Sequence, residues 1–507
     1  MNTLNVQLQR NLDELKKCLP SEDILTYSFE LNDKTACAIV YADGLVNKQL
    51  LGDLVARPLS NVAFSKKEGG RDATKSENPT FVEQSTLFPE LKRAETFEDA
   101  VKEILDGNSL LLVDGIAVGF IVGAKLPPNR AVVEPPTDVA VKGPREGFIE
   151  DVKTNMALVR KRLKTPDLRF ETLRVGRRSD TAVTICWLEG IADTEVKNSI
   201  KKQLQGIDID NVPDSSYIAA LISPRKHSVF RTVGTTEKPD IFSAKLCEGR
   251  VGLLVDGSPI ALTAPFLLAE DLQSSEDYFV SPFAATTVRF LRCIALFIAM
   301  LLPGIYVAAQ LFKIQLLPLG LTLTIASSIR DLPLSPSLEM FVVLLLLEIL
   351  KEASIRMPKY VGMSLSVVGA LVLGETAVSA GFLSTPAIII VAFSGICLYT
   401  VPNFVETGSL LRWLFLLLAG SIGPFGMVLF AAFLLYYLVS SDAFGVPMLA
   451  PFSPLVPHDL RDAVVKYGMY NLTTRPRLFR TKNKTRFKPV DTENKGGRDA
   501  MKTDKGE

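Results

Sequence analysis

Cysteine and histidine are scarce in this chain of 507 residues, and those present are not grouped. The six cysteines stand at positions 18, 37, 186, 247, 293 and 397, without a Cys-x-x-Cys spacing, and only two histidines occur. A structural zinc site needs four such ligands, and a disulfide framework needs a paired pattern of cysteines. The sequence therefore predicts no metal site and no disulfide framework, and we expect no cofactor.

A surplus of one charge is also lacking over the whole chain. The 56 Lys and Arg residues balance 55 Asp and Glu residues, so bulk charge indicates no nucleic-acid partner. The tail from Val456 to Glu507 is different, with 13 basic against 7 acidic residues. The positive-inside rule predicts a cytoplasmic tail close to anionic headgroups, although a merely solvated end fits the same composition.

The patterns of common catalytic and secretory sequences are missing too. The first twenty residues contain no continuous apolar run typical of a secretory signal, so we expect the N-terminal region to be cytoplasmic. No Walker phosphate loop is present, and no Ser/His/Asp, Cys/His or paired-carboxylate pattern stands out. We interpret Asp43, Asp114, Glu189 and Asp256 as turn formers, and we expect no enzyme.

Long apolar segments begin abruptly near residue 285. Four of them are near or above the roughly 20 residues that cross a bilayer: Val288–Phe312, Val361–Ala380, Leu383–Val401 and Leu410–Val439. Leu410–Val439 is long for one crossing and short for two. A cytoplasmic N-terminus and tail require an even number of crossings, so four or six fits better than five.

The soluble half contains an internal duplication. A strand, an acidic-Gly turn and an amphipathic helix over Cys37–Val55 recur over Thr184–Ile200. The string Leu-Leu-Val-Asp-Gly occurs in both Ser109–Ala124 and Gly249–Pro265, and Asp-Gly between apolar runs is a hairpin signal. Because both pairs of segments are separated by nearly the same length of chain, they predict two related α/β units in tandem.

The predicted fold is therefore an α/β soluble region of two related tandem units, then an all-α polytopic transmembrane domain and a flexible basic tail. The expected divisions are 1–140 for the first α/β unit with a loose polar insertion at 65–85, 141–182 for a helical, Arg-rich linker, 183–280 for the second α/β unit, 286–440 for the transmembrane helices and 441–507 for a cytoplasmic segment with the basic tail.

The linker is the region where we expect contacts between the α/β units or between subunits. Apolar residues recur at helical spacing from Phe148 to Leu163, which predicts a helix. The linker side chains assigned to these contacts are Arg145, Glu146, Arg177 and Arg178.

The segment Val361–Ala380 carries a stripe of mostly small residues. On a helix these positions fall within about 80° of one another: Gly362, Ser366, Gly369, Leu373, Thr376 and Ala380. Such a stripe either allows close helix packing or lines a narrow polar path. Both interpretations stay open on the residues alone.

Two carboxylates stand inside apolar segments. Glu348 lies near Lys351 and Glu352, and on a helix Glu375 lies about 120° away from the small-residue stripe. Ionisable groups in lipid are costly and indicate function by default. For Glu348, an equally good interpretation is a hydrated helix end at which charged residues close in sequence pair with one another.

Several ordered motifs resemble one family. GPREGFIEDVKTNMALVRKRL, VGRRSDTAV, WLEGIAD, GLLVDGSPIAL and SSEDYF precede the first apolar segment, and PGIYVAA, LKEASIRMP, VGALVLGETAVSAGFLSTP and FGVPMLAPFSPL follow. Together they resemble the A subunit of bacterial spore germination receptors, the GerA family, over roughly residues 35–456. The insertion at 65–85 and the tail carry none of this resemblance.

The resemblance implies a multi-pass protein of the spore inner membrane, with its N-terminal domain facing the spore core. It implies a ring of identical subunits, taken to be a pentamer, and two partners, a transporter-like B subunit and a lipoprotein C subunit. It further implies a nutrient-gated channel that releases monovalent cations, with Val361–Ala380 as the candidate pore helix. A modulatory paralogue without a nutrient-binding partner and a secondary transporter are the alternatives.

Overall fold

The computed structural model describes residues 3–32, 34–61, 79–88, 91–126, 142–226, 228–312, 318–330, 332–356, 369 and 372–487. The chain divides into two compact units. The first, the α/β unit, comprises Met1–Lys226, Val233–Pro265 and Tyr467–Glu507. The second, the helical unit, comprises His227–Thr232 and Phe266–Lys466.

The α/β unit contains two five-stranded antiparallel sheets with the same strand order. In the first module (residues 3–126) the order is β1-β2-β4-β5-β3, and in the second module (142–265) it is β6-β7-β9-β10-β8. The strands are β1 Ile24–Glu30, β2 Ala36–Ala42, β3 Leu91–Ala94, β4 Ser109–Val113, β5 Gly119–Val122, β6 Leu168–Val175, β7 Thr181–Leu188, β8 Gly234–Thr236, β9 Val251–Val255 and β10 Ala261–Ala264.

Nine α-helices of this unit accompany the sheets in the described residues. They are α1 Leu8–Cys18, α2 Lys48–Leu51, α3 Arg57–Ser60, α4 Pro79–Ser85, α5 Phe97–Leu105, α6 Val152–Arg162, α7 Thr194–Gln205, α8 Ser215–Ile222 and α9 Pro239–Cys247. Polar caps fix several helix starts. Ahead of α6, for example, Asp151 accepts a hydrogen bond from the Thr154 amide at 2.8 Å.

Strand β4 shows why a continuous apolar run forms a central strand here. Successive side chains of a strand point to opposite faces. Leu111 and Val113 enter one apolar cluster with the α2–α3 region, whereas Leu110 and Leu112 enter another with α1 and α5. Because both faces are covered, every residue of β4 is buried.

The two modules repeat a specific turn geometry. An Asp-Gly turn joins β4 to β5 at Asp114, and an equivalent turn joins β9 to β10 at Asp256. The Asp114 carboxylate accepts a hydrogen bond from the Leu8 amide at 2.9 Å, and Asp256 accepts one from the Val152 amide at 3.2 Å. Each turn aspartate therefore also caps the first helix of its own module.

A second pair of equivalent residues fixes the chain ahead of those helices. Asn11 on α1 accepts a hydrogen bond from the Asn5 amide at 2.8 Å and donates to its carbonyl at 2.6 Å. Asn155 on α6 makes the same two bonds to Ile149, at 2.9 and 2.5 Å. These matching buried contacts support a common architecture for both modules.

Two sequence interpretations need correction in this unit. The end of the expected loose insertion 65–85 is helix α4, because Val82 is fully buried in the core of the first module; residues 62–78 lie outside the described residues. The expected linker 141–182 supplies α6 and β6 of the second module. Phe148, Val152 and Leu168 share one apolar core, so this stretch is not a separate connector.

The helical unit is built from apolar helices. They are α10 Pro282–Phe312, α11 Leu319–Ile329, α12 Pro336–Arg356, α13 Ala377–Ser379, α14 Thr385–Tyr399, α15 Val405–Ser421 and α16 Pro424–Val439, and a π-helical turn spans Val372–Thr376. Two short strands follow, β11 Asp442–Ala443 and β12 Val446–Pro447.

Two helical segments of the described chain are long and apolar enough to cross a membrane. They are Pro282–Phe312 and Pro402–Ser421; Thr385–Tyr399 and Pro424–Val439 are apolar but shorter. The long segment Leu410–Val439 is interrupted at Gly423, which has a φ of +78°. Glycine adopts this conformation without strain, and a proline at the next position suits the start of a helix. Gly423 therefore divides this segment between the end of α15 and α16.

The first part of the basic tail is structured, which corrects the expectation of a flexible tail. Phe479 and Thr481 are 4% and 5% exposed. Arg475 donates a hydrogen bond of 2.7 Å from its Nε to the Cys247 carbonyl of the second module. Residues 488–507 lie outside the described residues.

Candidate functional site in the helical unit

The small-residue stripe is described only in part. Gly362 and Ser366 lie outside the described residues, and of Leu373 only the backbone is described. Gly369 is buried, and a Cβ placed there would lie 3.1 Å from Leu350 Cδ2. Thr376 and Ala380 are exposed. The assignment of this stripe to a pore or to helix packing stays a prediction.

The stripe passes through an irregular backbone. Val372–Thr376 forms a π-helical turn, a conformation that is rare in proteins and frequent at functional sites. Glu375 lies in this turn and is exposed within the chain. An exposed carboxylate in an apolar segment fits a role toward water or another chain better than toward lipid.

Glu348 on α12 is the centre of a partly buried ionic network. Its Oε1 accepts a hydrogen bond from Arg412 Nη2 at 2.9 Å and another from the Ser409 hydroxyl. Its Oε2 pairs with Lys351 at 2.6 Å. The pairing with Lys351 is the i,i+3 contact that the sequence suggests, whereas Arg412 is reached only through the fold.

Arg412 connects this network to two more helices. It is 1% exposed and lies on α15. Its Nη1 donates to Ser394 of α14 at 3.2 Å, and the Ser394 hydroxyl donates to the Ala299 carbonyl of α10 at 2.8 Å. The network therefore joins four helices. The missed signal was a lone arginine inside an apolar segment, which by itself indicates a buried partner.

A fully buried carboxylate lies at the start of α12. Glu339 is 1% exposed, and its Oε1 accepts a hydrogen bond of 2.5 Å from the Ser384 amide at the N-terminus of α14. The partial positive charge of that helix end stabilises a carboxylate. This hydrogen bond fastens α12 to α14 inside an apolar bundle.

A third charged cluster encloses the N-terminal part of α10. Arg289 is fully buried; its Nε lies 2.8 Å from Asp277 Oδ2, and its Nη1 lies 3.0 Å from Asp462 Oδ1. Arg292 also binds Asp277, at 3.0 Å. We call Asp277, Arg289, Arg292 and Asp462 the latch. It gives the SSEDYF motif a role, because Asp277 is the aspartate of that motif.

An aromatic ring beside the latch and the pKa shifts of two neighbouring groups agree with its charged contacts. Arg289 and Lys466 both lie over the Tyr278 ring, at 5.5 and 5.0 Å from its centre, where the ring attracts a cation. Burial alone would raise the pKa of the Asp277 carboxyl, but hydrogen bonds from Arg292 and Arg289 bring this pKa below its ordinary value. Burial also lowers the pKa of the Lys466 ammonium. The ionised carboxylate of Asp277 is thus the form that the fold favours.

Charged side chains of the predicted linker contact residues of their own module. Glu146 pairs with Lys161 and Arg162 of α6, at 3.1 and 2.8 Å. Arg177 pairs with Asp208, and the Arg178 side chain lies 3.9 Å from Asp210. These surface pairs leave the predicted subunit contacts of Arg145, Glu146, Arg177 and Arg178 as predictions.

Arg160 makes a buried contact between the two modules. Its guanidinium is 1% exposed and binds the Asp23 carboxylate of the first module through two bonds, at 2.7 and 2.8 Å. It also donates to the Thr165 and Leu168 carbonyls and stacks on Phe170. Local sequence predicts only a helix-end role for Arg160, since a partner so distant in the chain gives no local signal.

The described residues offer no metal centre. Among them, no three or more His, Cys, Asp or Glu side chains are placed to hold a metal ion. The buried polar groups around Glu348 and Glu339 are instead paired across helices. This arrangement suits a bundle whose helices must keep a fixed rotation inside an apolar solvent.

Comparisons with known proteins agree on one family. The family described as Bacillus/Clostridium GerA spore germination protein matches residues 10–478. Three relatives come from Bacillus subtilis (strain 168). "Spore germination protein KA" is 31% identical over 95% of this chain and 88% of that protein. "Spore germination protein B1" is 30% identical over 96% and 99% of the two chains. "Uncharacterized membrane protein YfkQ" is 33% identical over 97% and 96%.

One solved structure is similar to the N-terminal half. It is the crystal structure of the N-terminal domain of the A subunit of the Bacillus megaterium spore germinant receptor GerK3. That domain is 31% identical to this chain, covers 53% of it and is itself covered to 98%, with a TM-score of 0.40. The match over nearly the full length of curated relatives decides the family. The chain belongs to the Bacillus/Clostridium GerA spore germination protein family.

Proposed function

We propose that this chain is the A subunit of a nutrient germinant receptor in the spore inner membrane. The observation that carries this proposal is the match to spore germination proteins over almost the whole of both chains, as for the B1 protein of Bacillus subtilis. A shared module alone would leave the rest of the chain unmatched.

The proposed mechanism is a channel. Identical copies assemble into a ring, a pentamer by the family resemblance, and the ring opens a path for monovalent cations when a nutrient binds. A transporter-like B subunit binds the nutrient and a lipoprotein C subunit completes the receptor. The helical unit then crosses the membrane four to six times, with the α/β unit facing the spore core.

Two features of the helical unit support this mechanism. The π-helical turn at Val372–Thr376 presents Thr376 and Glu375 outward from the chain, as a segment that faces water or neighbouring copies would. The networks around Glu348 and Glu339 fasten α10, α12, α14 and α15 together. A rigid bundle beside a less regular segment is a reasonable frame for a gate.

The test is germination of spores that contain or lack this chain. Spores are exposed to single amino acids and sugars while potassium release is recorded, with the neighbouring partner genes intact. The proposal expects at least one nutrient to release potassium only when the chain is present. If removal of the chain slows the response to every nutrient equally and abolishes none, the chain is a modulatory paralogue and not a receptor subunit.

A further inference from the structure

A compact basic hairpin follows the helical unit in the sequence. In residues 473–487, the basic hairpin, the Arg475 amide donates to the Lys484 carbonyl at 2.9 Å, and the Arg486 amide donates to the Thr473 carbonyl at 2.8 Å. Thr474 and Thr485 form an antiparallel bridge. The Arg475 guanidinium also donates to the Asn483 and Thr485 carbonyls. The hairpin therefore has a defined shape.

The hairpin is anchored on the second module. Phe479 is buried under the guanidinium of Arg250, whose Cζ lies 4.3 Å from the ring centre. Thr481 packs on Gly249, where an added Cβ would collide with Thr481 Cγ2. The glycine allows this close approach. Burial of Phe479 and Thr481 holds the backbone of the neighbouring polar residues in place.

The outward side of the hairpin is a concentrated positive surface. Arg477, Arg480, Lys482 and Lys484 are all exposed. Of these, Arg480 lies 3.4 Å from Glu195, and both side chains are largely open to solvent. In the described part of the chain, the other three form no ion pair with a carboxylate. Their positive charge is therefore available to an external anion.

Three of these cations line an open cavity at the surface. Arg477, Arg480, Thr481 and Lys484 line a space of ≈ 380 Å³. Two guanidinium groups, an ammonium and a hydroxyl are the donors that proteins use for phosphate oxygens. Holding like charges together in a fixed loop is unfavourable without an anion. The cavity therefore has the chemistry of a phosphate site.

The chain length to the membrane helices is short. The Lys466 amide donates to the Thr286 hydroxyl near the start of α10 at 3.0 Å. Six residues lie between Lys466 and Thr473, and the seven Cα-to-Cα steps span at most about 25 Å when extended. Only this short length of chain therefore connects the hairpin to Lys466, which contacts the start of a helix long and apolar enough to cross a membrane. At a membrane surface, lipid headgroups are the most concentrated source of phosphate.

We propose that the basic hairpin binds the phosphate of anionic phospholipids, through Arg477, Arg480, Lys482 and Lys484. The proposal rests on the membrane location of the proposed function, and it does not depend on the channel or on its partners. Each cation near an anionic surface contributes about fivefold in affinity, the equivalent of about 1 kcal/mol. The attraction weakens in high salt, where the screening length falls to about 3 Å at 1 M.

The experiment measures amide hydrogen exchange of the full chain in lipid nanodiscs. Incorporation into the discs is checked first, so that a failed membrane location is recognised separately. One set of discs contains phosphatidylcholine alone, and the other contains phosphatidylcholine and phosphatidylglycerol at three to one. We expect exchange of residues 476–484 to slow at least threefold in the second set, and the effect to vanish in 1 M KCl.

Two variants control for charge and for folding. The test variant combines Arg477→Gln, Arg480→Gln, Lys482→Gln and Lys484→Gln, and should lose the lipid-dependent protection. The matched variant removes four exposed cations of the first module, with Arg10→Gln, Lys16→Gln, Lys17→Gln and Lys92→Gln, and should keep it. Unchanged exchange at 247–250 shows that the anchor of the hairpin is intact in both variants.

Three results would overturn the proposal. Equal exchange in both discs with an intact anchor means that the hairpin does not bind anionic lipid. Full protection by inorganic phosphate in phosphatidylcholine discs, with no further gain from phosphatidylglycerol, assigns the cavity to a soluble phosphate. Slow exchange of the hairpin in pure phosphatidylcholine discs that changes neither with inorganic phosphate nor with anionic lipid means that another protein segment covers the hairpin.

Discussion

Arg412 on α15 and Glu348 on α12 form a buried ion pair, with 2.9 Å between Nη2 and Oε1. The arginine is 1% exposed, while the carboxylate retains 22% of its side-chain surface. A buried pair of this kind contributes little compared with an apolar pair, but loss of one partner leaves a charge without compensation. Its main effect is to fix how the two helices are rotated relative to each other.

Removal of the Glu348 carboxylate should therefore destabilise the helical unit. We expect Glu348→Ala to lower the free energy of unfolding by about 3 kcal/mol, because Arg412 stays buried without its partner. The control is Glu352→Ala on the same helix, whose pair with Arg356 is exposed. Exposed pairs contribute little, so this variant should stay close to wild type. Reversible unfolding of the full chain in mixed micelles measures both; equal losses would contradict the buried network.

The contact between the modules gives a second prediction. Asp23→Ala leaves the Arg160 guanidinium buried and unpaired, so we expect a loss of about 3 kcal/mol in the stability of the α/β unit. Asp208→Ala removes an exposed partner of Arg177 and should leave stability almost unchanged, because exposed pairs contribute little. Denaturant unfolding of both variants, monitored by hydrogen exchange in α6, measures the difference in stability. No difference between the variants would show that Arg160 finds another partner.

The latch predicts a dependence on pH. The pKa of Asp277 is below its ordinary value in the fold. A lowered carboxyl pKa stabilises the folded state above the unfolded pKa, at about pH 4, and this contribution disappears as the pH falls through the folded pKa. Wild type should therefore lose stability more steeply than Asp277→Asn below about pH 4, while the variant is less stable at neutral pH.

Melting curves of the full chain from acid to neutral pH test this prediction. The comparison uses the difference between wild type and Asp277→Asn, since other carboxylates titrate in both proteins. A difference that stays constant over the whole range would mean that the Asp277 charge does not hold Arg289 and Arg292.

Gly249 predicts a selective effect on the basic hairpin. Its φ is +103° and a Cβ would collide with Thr481, whereas Gly257 has a φ of +83° with nothing within 4 Å of its Cβ position. Both alanine variants carry a backbone strain of about 1 kcal/mol, because both positions have a positive φ. Only Gly249→Ala should speed hydrogen exchange in residues 473–487. Equal exchange in the two variants would show that the hairpin does not depend on this contact.

Local sequence patterns predicted most of the α/β unit. The Asp-Gly turns, the duplicated strand-turn-helix order and the helix after Phe148 follow from the periodicities of strands and helices, and all appear in the structure. The second role of Asp114, capping a helix 106 residues away, could not be read locally. Turn aspartates look identical whether or not a distant amide is available.

The helical unit was predictable as apolar segments but not as a bundle. Glu348 stood out as a charge in an apolar run, yet its partner Arg412 lies 64 residues later. Which carboxylate meets which arginine depends on helix rotation and packing, and composition leaves both undetermined. The first part of the basic tail was not predicted. Its net charge indicated a flexible end, whereas burial of Phe479 and Thr481 gives it a defined structure.

The proposed function requires a nutrient-gated cation path formed by copies of this chain. Gly369→Leu tests it poorly, because a Cβ at Gly369 already approaches Leu350 at 3.1 Å. Thr376 is exposed in the chain, so Thr376→Leu changes the proposed path without a buried clash. Thr324→Leu on α11 is the matched control, since that threonine is also exposed.

The most direct measurement is potassium efflux from non-sporulating cells that express this chain with its neighbouring partner genes, with and without single nutrients. We predict nutrient-dependent efflux in wild type and Thr324→Leu, and at least a tenfold lower rate in Thr376→Leu with assembly intact. Nutrient-independent or absent efflux from an assembled, membrane-inserted complex would contradict a channel, and unchanged efflux in Thr376→Leu would contradict the pore assignment.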